Sequence, residues 1–325
     1  MNKNILVTGG AGYVGSHVCK TLHENGFVPI TFDNLSTGHL EFVKWGPIFK
    51  GDLLNPSDIK EVFDRYNIES VMHLAAKAYV NESMENPIKY YRENIQASVN
   101  LLEIFIEKKG KAFVFSSSCA TYGNPDLTFI SESTLQDPIN PYGFTKLATE
   151  RLIIDLSKLH SFNCSILRYF NAAGADMDLE IGERHSDETH VIPSLINAAL
   201  TKGTFKIFGE NHATPDGTAI RDYIHVTDIA IAHSRALDAL LEQKQNIVCN
   251  LGTSKGVSVI ELVELIKNWR SNFKIQFEER RKGDPSYLVA ANTLSKNLLR
   301  MEYNNSDINS IVNSAIKWHE KDLED

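Results

Sequence analysis

The chain has 325 residues, of which 42% are hydrophobic and 23% charged, and its formal net charge is −8. These values lie near the averages for globular proteins, so a large core can form and global disorder is excluded. An acidic chain without a basic run is a poor nucleic-acid binder, and no nucleic-acid partner is expected. At roughly 150 residues per domain, this length corresponds to about two domains.

The sequence also bears on the compartment. No run of about 18 apolar residues occurs, so no membrane span is predicted. The N-terminal apolar run is too short for a signal peptide and leads directly into glycines. The four cysteines are scattered without a CxxC pair, which does not indicate a disulfide framework. We therefore expect a cytoplasmic protein without a membrane partner.

Apolar runs alternate with segments of helical periodicity through the first half of the chain. Predicted strands cover Asn4–Thr8, Val28–Phe32, Ile48–Lys50, Val71–Ala75, Ala112–Ser116 and Cys164–Tyr169. Predicted helices cover Gly12–Glu24, Ser57–Tyr66, Pro87–Lys108 and Pro141–His160. This alternation is typical of an α/β fold with a doubly wound parallel sheet, the Rossmann arrangement, covered on both faces.

After about residue 171 the predicted elements become shorter. Loops are predicted over Asn171–Thr189 and Asn211–Thr218. Strands are predicted over Phe205–Phe208, Arg221–Val226 and Val248–Leu251, and helices over Ile192–Leu200, Thr227–Leu241 and Ser258–Trp269. The change of rhythm predicts a Rossmann domain over residues 1–171 and a smaller α/β substrate-binding domain over 172–325. The two are interleaved, with some later segments returning to the first domain.

The turn after the first predicted strand carries Gly9, Gly12 and Gly15 and leads into a helix. Glycines let the backbone approach a pyrophosphate, and the helix N-terminus offers free N–H groups and a positive dipole to the phosphates. Asp33 ends the next strand, where a carboxylate accepts hydrogen bonds from ribose hydroxyls and repels a 2′-phosphate. These residues predict NAD rather than NADP. A glycine-rich turn and a turn-capping aspartate are the alternatives without a ligand.

A YxxxK motif supplies the candidate catalytic residues. Asn140 suits the N-cap and Pro141 the first position of a helix, so Tyr142 and Lys146 lie on one helix face. The Lys146 ammonium is expected to lower the pKa of the Tyr142 phenol. A phenol tuned in this way can remove a proton from a sugar hydroxyl while hydride leaves the same carbon. The alternative is a surface tyrosine beside a solvated lysine.

Three serines, Ser116–Ser118, end the fifth predicted strand. In a doubly wound sheet the C-terminus of a strand faces the ligand crevice, where a hydroxyl can bridge a substrate oxygen and Tyr142. A serine nucleophile is disfavoured because no GxSxG motif occurs. A simple polar strand end is also possible.

Taken in this order, the motifs resemble those of the extended short-chain dehydrogenase/reductase family, and within it those of the UDP-glucose 4-epimerases. The matching segments span nearly the whole chain: Thr8–Gly15, Asp33-Asn34, Gly51–Leu53, His73–Ala76, Asn94, Ser116–Ser118, Tyr122-Gly123, Pro141–Lys146, Arg168–Asn171, Asp216–Thr218, Arg221–Val226 and Arg281–Asp284. The resemblance implies that Tyr142 is the base, Lys146 its partner, and Ser118 the hydroxyl that contacts the sugar.

The resemblance also implies two sets of binding residues. The NAD set is Gly9, Gly12, Tyr13, Val14, Gly15, Asp33, Asn34, Ser36, Thr37, Gly38, Asp52, Leu53, Leu74, Ala75, Ala76, Asn94, Ser116, Tyr142, Lys146 and Phe170. The substrate set is Ser118, Tyr142, Asn171, His190, Val191, Ile207, Phe208, Arg221, Arg281, Asp284 and Leu288. The two arginines suit phosphate oxygens, and a surface salt bridge is the alternative for each.

Some positions depart from the family pattern or carry no assigned chemistry. Lys77 lies one place before Ala78, the position at which many members carry a lysine, so a contact of either position with the pyrophosphate is left open. His185 and His190 lack the spacing of metal ligands, and no metal is expected.

The resemblance further implies which residue limits the size of the sugar that can bind. Counting four residues from Asp284 places Leu288 beside the C2 position of the sugar, and a shift of one would place Tyr287 there. A non-aromatic residue at this position admits N-acetyl sugars in the family, so activity on both plain and N-acetylated hexoses is expected.

The expected function is reversible C4 epimerisation of UDP-glucose and UDP-galactose through a transient 4-keto sugar, with tightly bound NAD. UDP-xylose, UDP-arabinose and UDP-N-acetylglucosamine are alternative substrates. A 4,6-dehydratase is disfavoured because Cys119-Ala120 replaces that family's Asp-Glu pair after the strand-end hydroxyl. A non-enzymatic NAD-binding regulator is disfavoured by the intact catalytic residues. If the resemblance holds, the long helices Pro87–Lys108 and Pro141–His160 pair in a homodimer.

Overall fold

A computed structural model describes residues 3–242, 245–281 and 284–323. Its strands are β1 Asn4–Thr8, β2 Val28–Asp33, β3 Ile48–Lys50, β4 Ser70–His73, β5 Ala112–Ser118, β6 Asn163–Tyr169, β7 Asn171–Ala173, β8 Thr204–Phe208, β9 Ile220–His225, β10 Ile247–Leu251, β11 Gly256–Ser258, β12 Lys274–Glu278 and β13 Tyr287–Leu288. Its α-helices are α1 Tyr13–Glu24, α2 Pro56–Tyr66, α3 Val80–Glu85, α4 Pro87–Tyr90, α5 Ala97–Glu107, α6 Pro141–His160, α7 Val191–Thr201, α8 Val226–Glu242, α9 Val259–Trp269, α10 Thr293–Leu298 and α11 Ile308–Asp322. Leu40–Phe42 and Cys119–Tyr122 form 3₁₀ turns, and Tyr91–Gln96 is π-helical.

Seven parallel strands form the central sheet, in the order β10-β6-β5-β4-β1-β2-β3. Its strands are apolar on both faces because each face is covered. Leu6 and Phe113 pack into the core on one side, whereas Val7 and Val114 pack into the core on the other. The predicted fold class, a doubly wound parallel sheet, is therefore confirmed.

The second half of the chain builds a smaller region around β9. One half of β9 pairs with β11 and β13, and its other half pairs with β7. Strands β8 and β12 form a separate parallel pair. The chain also returns to the central sheet, since β10 adds an edge strand beside β6 and α8 packs against α1, β5 and β6. Among the described residues, no helix is both long and apolar enough to cross a membrane.

The predicted helix Pro87–Lys108 is interrupted by the π-helical turn Tyr91–Gln96. The side chain of Asn94, inside this turn, bonds the backbone of Lys77 and the hydroxyl of Thr145, and the Asn94 carbonyl accepts a bond from Ser98. These contacts draw the helix away from regular α geometry, as single π-turns at functional sites commonly do.

Several other boundaries differ from the sequence prediction. The region predicted as a loop from Asn171 begins with β7, and β5 continues to Ser118. Helices α3, α10 and α11 and strands β11, β12 and β13 were not predicted, and most are too short to show periodicity. The predicted start of α6 is correct, since the Asn140 side chain accepts a hydrogen bond from the Gly143 amide at 2.8 Å.

The buried His233 side chain joins α8 to the central sheet. Its Nδ1 lies 2.8 Å from the carbonyl oxygen of Ile229, and its Nε2 lies 2.7 Å from the hydroxyl of Ser116. Because a carbonyl only accepts, Nδ1 carries the proton and Nε2 accepts from Ser116, so the ring is neutral. Burial lowers the pKa of His233 to about 4.

This buried histidine predicts a loss of stability in acid. An unfolded histidine titrates near 6.5, so between about pH 6.5 and 4 the unfolded chain binds more protons, and the free energy of unfolding falls as pH decreases. We expect His233→Gln to lower stability at pH 7.5 but to flatten this slope, as measured by urea unfolding at several pH values. The exposed His23→Gln is the matched control. Parallel pH profiles for all three proteins would contradict the assignment.

Candidate active site

The carboxyl ends of the central strands open into one continuous cleft of about 1290 Å³. A single small-ligand pocket typically has about 300–1000 Å³, so this cleft has room for two ligands side by side. Most of the predicted binding residues line it: Gly9, Gly12, Tyr13, Val14, Gly15, Asp33, Asn34, Ser36, Thr37, Gly38, Asp52, Leu53, Leu74, Ala75, Ala76, Ser118, Tyr142, Phe170, Asn171, His190, Val191, Ile207, Phe208, Arg221, Arg281, Asp284 and Leu288. The remaining three, Asn94, Ser116 and Lys146, are buried behind the wall.

The glycine turn is too tight for side chains. Gly9 has a φ of +72°, and a Cβ on it would lie 2.7 Å from the Ala75 amide nitrogen. A Cβ on Gly15 would lie 2.0 Å from the Gly9 carbonyl oxygen. Gly12 is the N-cap of α1 and provides no side-chain cap for the first amides. The turn therefore presents free backbone N–H groups at a helix N-terminus, which suits a pyrophosphate.

Asp33 is held at the end of β2 by two backbone donors. Its Oδ2 accepts from the Ala11 amide at 3.1 Å and its Oδ1 from the Leu35 amide at 2.8 Å. Burial raises the pKa of Asp33, and these two bonds oppose the rise. An ionised carboxylate offers about four acceptor positions, so two remain for ribose hydroxyls.

Lys77 and Ala78 both line the cleft. The Lys77 ammonium lies 3.2 Å from the Ser36 hydroxyl and 3.7 Å from the Glu93 carboxylate. Asn94 fixes the Lys77 backbone, accepting from its amide at 2.8 Å and donating to its carbonyl at 3.0 Å. The cation therefore stands near the predicted NAD residues.

Tyr142 faces the cleft with Ser118, and Lys146 lies behind it. The Lys146 ammonium is 5.9 Å from the centre of the Tyr142 ring and donates to the Ser116 carbonyl at 2.7 Å. Burial lowers the pKa of Lys146 to about 7, which Glu150 opposes. Burial also raises the pKa of Tyr142 above its usual value near 10. A hydrogen bond with Ser118 opposes this rise, and the lowering of the Tyr142 pKa expected from Lys146 is not found in the protein alone.

A buried ion pair supports this centre and was missed in the sequence. Glu150 pairs with Arg168 of β6 at 2.7 Å and also accepts from the Ser117 hydroxyl. Arg168 donates in turn to the Tyr122 hydroxyl at 2.8 Å. The helical spacing could have predicted the role of Glu150, since this residue follows Lys146 by one turn on the same face of the helix.

The substrate half of the cleft contains the two predicted arginines. Arg221 of β9 pairs with Asp284, and Arg281 lies with its guanidinium 3.8 Å from the centre of the Phe208 ring. Leu288 is paired with Arg221 between β13 and β9, and it lines the cleft, whereas Tyr287 is not among the lining residues. Lys282 and Gly283, part of the predicted Arg281–Asp284 motif, lie outside the described residues.

Comparison with known proteins agrees with this geometry. Residues 5–252 match the sequence profile of the NAD dependent epimerase/dehydratase family. The chain is 46% identical over 322 residues to the UDP-glucose 4-epimerase of Rhizobium meliloti (strain 1021), covering 98% of each. The chain belongs to the NAD-dependent epimerase/dehydratase family.

Solved structures of this family have the same fold. The UDP-glucose 4-epimerase from Brucella ovis, in complex with NAD, superposes with a TM-score of 0.94 at 43% identity, over 97% of this chain and 98% of that one. The UDP-Glc/GlcNAc 4-epimerase from Campylobacter jejuni has a TM-score of 0.86 at 38% identity, over 98% and 99% of the two chains. The family and the NAD cofactor expected from the sequence are confirmed.

This family member also has a cluster of potential metal ligands that was not predicted. Glu183, His185, Glu188 and His190 bring their ligand atoms within 4.8 Å of one another. The two histidines by themselves lack the spacing of metal ligands, but the glutamates that alternate with them complete a set of four.

The position of Asp33 predicts the choice of dinucleotide. We expect purified protein to carry NAD(H), and Asp33→Ser to bind NAD about 10–100-fold more weakly, since hydrogen bonds to a charged group contribute about 1.5–3 kcal/mol. Binding of NADP should not fall, because the carboxylate that repels its 2′-phosphate is removed. Extraction and chromatography of bound cofactor, followed by titration, would measure both. The exposed Asp126→Ser is the control, and NADP(H) in the wild-type extract would refute the assignment.

Proposed function

We propose that the protein interconverts UDP-glucose and UDP-galactose by inversion at C4, through a transient 4-keto sugar and with NAD held throughout. The observation that carries this proposal is one cleft that joins a dinucleotide turn to an arginine-lined half, with Tyr142 and Ser118 on its wall. The full-length similarity to UDP-glucose 4-epimerases supports the same conclusion.

The residues present fit an NAD molecule. Side chains on Gly9 and Gly15 would collide with the backbone of Ala75 and Gly9, so the turn needs glycines to close tightly before α1. Asp33 stands where ribose hydroxyls would bind. Bound NAD would supply the hydride acceptor and donor for C4 of the sugar. The protein supplies orientation and electrostatics for this transfer.

Tyr142 would accept the proton of the 4-hydroxyl, with Ser118 bonding the same oxygen. Its phenol is an acid weaker than usual in the protein alone, so its pKa must be lowered by a positive charge nearby before it can act as a base. Lys146 in its protonated form would supply such a charge 5.9 Å from the centre of the ring, and the positive nicotinamide of bound NAD would add to it. Arg221 and Arg281 would hold the pyrophosphate, about which the 4-keto sugar turns to present its other face.

The possible substrates differ in the sugar they carry. UDP-N-acetylglucosamine is favoured as a second substrate by Leu288, an aliphatic residue at the cleft wall. UDP-xylose and UDP-arabinose are further candidate substrates. A 4,6-dehydratase and a non-enzymatic regulator remain disfavoured, because Cys119 follows Ser118 and because Ser118, Tyr142 and Lys146 converge.

Two organisational predictions accompany this function. We propose that residues 1–171 form the NAD-binding domain and that 172–325 mainly bind the UDP-sugar.

We also propose a homodimer through the helices near Pro87–Lys108 and Pro141–His160. Exposed apolar side chains there, including Met84, Ile88 and Phe144, support a second copy as the occupant. A cytoplasmic location remains a prediction.

Loss of the Tyr142 hydroxyl should stop turnover. We expect Tyr142→Phe to lower kcat by ~10²-fold or more, because general-base catalysis contributes about that much, while bound NAD is retained. The assay mixes protein with UDP-galactose and detects UDP-glucose without added NADH. Tyr66→Phe at the end of α2, outside the cleft, is the control. More than about a tenth of the wild-type rate in Tyr142→Phe would show that another group is the base.

The size of residue 288 should set the sugar range. We expect the wild type to epimerise both UDP-galactose and UDP-N-acetylgalactosamine, and Leu288→Tyr to lose activity mainly on the N-acetyl substrate. A few methylenes in a pocket change selectivity by ~1–3 kcal/mol, so a preference rather than an absolute switch is expected. The ratio of kcat/KM values measures it, with Leu294→Tyr on α10 as the control. Absence of N-acetyl activity in the wild type, or its full retention in Leu288→Tyr, would disprove this role.

A further inference from the structure

The segment between β7 and α7 gathers four potential metal ligands from eight consecutive residues. Glu183, His185, Glu188 and His190 each offer one ligand atom, and all four atoms lie within 4.8 Å of one another. The cluster stands at the rim of the cleft, because all four residues contribute to its lining. Glu183 is buried, whereas the His190 side chain is half exposed.

Two of the separations within the cluster are close to those around a tetrahedral ion. His185 Nδ1 lies 3.3 Å from a carboxylate oxygen of Glu183 and 3.3 Å from one of Glu188. A tetrahedral zinc with bonds of about 2.0–2.1 Å separates its ligands by roughly 3.3 Å. The contact between His185 and Glu188 also has the geometry of a hydrogen bond, which is the rival arrangement. His190 Nδ1 contacts the same oxygen of Glu183 more closely and would have to withdraw slightly for an ion to enter.

Neighbouring groups hold the ligands in place. The His190 amide donates to the second oxygen of Glu188 at 2.7 Å, leaving the first oxygen directed at His185. The Trp318 indole donates to the Glu183 carbonyl at 2.9 Å and so fixes that residue's backbone. Such outer contacts orient metal ligands in known sites.

The guanidinium of Arg184, although close in sequence, does not neutralise the carboxylates of Glu183 and Glu188. Arg184 extends away from the cluster to Glu41 and Asp322. Within the described ranges, the ion pairs of Glu183 and Glu188 are with the two histidines. A divalent cation bound by two carboxylates and two neutral imidazoles would also give a site without net charge.

We propose that Glu183, His185, Glu188 and His190 bind one zinc ion, which ties the loop between β7 and α7 together at the rim of the cleft. Two imidazole nitrogens with two carboxylate oxygens in a four-ligand set suit zinc, whereas magnesium and calcium prefer six or more oxygen ligands. The proposal assigns the ion no part in the epimerisation chemistry, although His190 also belongs to the proposed substrate set. The rival arrangement is a set of histidine–glutamate hydrogen bonds that holds no ion.

Zinc binding to the purified, NAD-containing protein tests the proposal. The protein is dialysed against a chelator and then titrated with ZnCl₂ in competition with a chromogenic chelator, with MgCl₂ as a comparison. We expect one zinc ion per chain, no competition from magnesium, and a rise in thermal unfolding temperature with zinc, since a ligand of the folded state stabilises it.

Two ligand variants and two matched controls make the test specific. His185→Ala and the nearly isosteric Glu188→Gln should weaken zinc binding by at least ~10-fold and abolish the thermal shift. His23→Ala and Glu24→Gln, both exposed at the end of α1, should bind zinc as the wild type does. His190 is left unaltered because it is also a proposed substrate residue. Bound NAD and unaltered unfolding without zinc show that the variants are folded.

The outcomes separate this proposal from the proposed function. Zinc bound below one equivalent per chain, or bound equally by wild type and both ligand variants, would overturn the site whatever the turnover. Epimerase activity that fails while specific zinc binding persists would instead count against the catalytic assignment. Visible absorption after Co²⁺ replacement gives a second measure, and a six-coordinate spectrum would rule out the tetrahedral set.

Discussion

The active centre depends on how α6 is fixed against the central sheet by buried charges. The Lys146 ammonium bonds the Ser116 carbonyl of β5, and one turn later Glu150 pairs with Arg168 of β6. Removing one partner of a buried ion pair costs about 3–5 kcal/mol, so α6 cannot slide or rotate without leaving charges unpaired. Tyr142, one turn before Lys146, is therefore held at one position on the cleft wall.

A second constraint comes from β9, which connects the two halves of the cleft. It pairs with β7, which follows β6 after a single residue, and with β13. Arg221 on β9 and Leu288 on β13 are thereby placed opposite the residues at the end of the central sheet. The substrate half is built from short strands far apart in sequence, and its position relative to Tyr142 follows from these pairings.

The central sheet and the catalytic motif could be predicted because their signals are local. Buried parallel strands appear as apolar runs, and the glycine turn, Asp33 and the YxxxK motif lie at fixed offsets from predicted elements. The start of α6 was predicted from Asn140 and Pro141 for the same reason, since the cap bond joins residues three apart. The π-turn around Asn94 could not be predicted, because its cause is a contact with Lys77 and Thr145, distant in the chain.

The fold class, the family resemblance and the residue types needed for NAD and for proton transfer all follow from the amino-acid sequence. The environment of those residues depends on the folded chain: burial raises the pKa of Tyr142 where the adjacent lysine by itself suggested the opposite. Folding also determines which charges pair, as with Glu150 and Arg168, which lie 18 residues apart. The physical reason is that desolvation and pairing depend on every neighbour in space, whereas a motif records only neighbours along the chain.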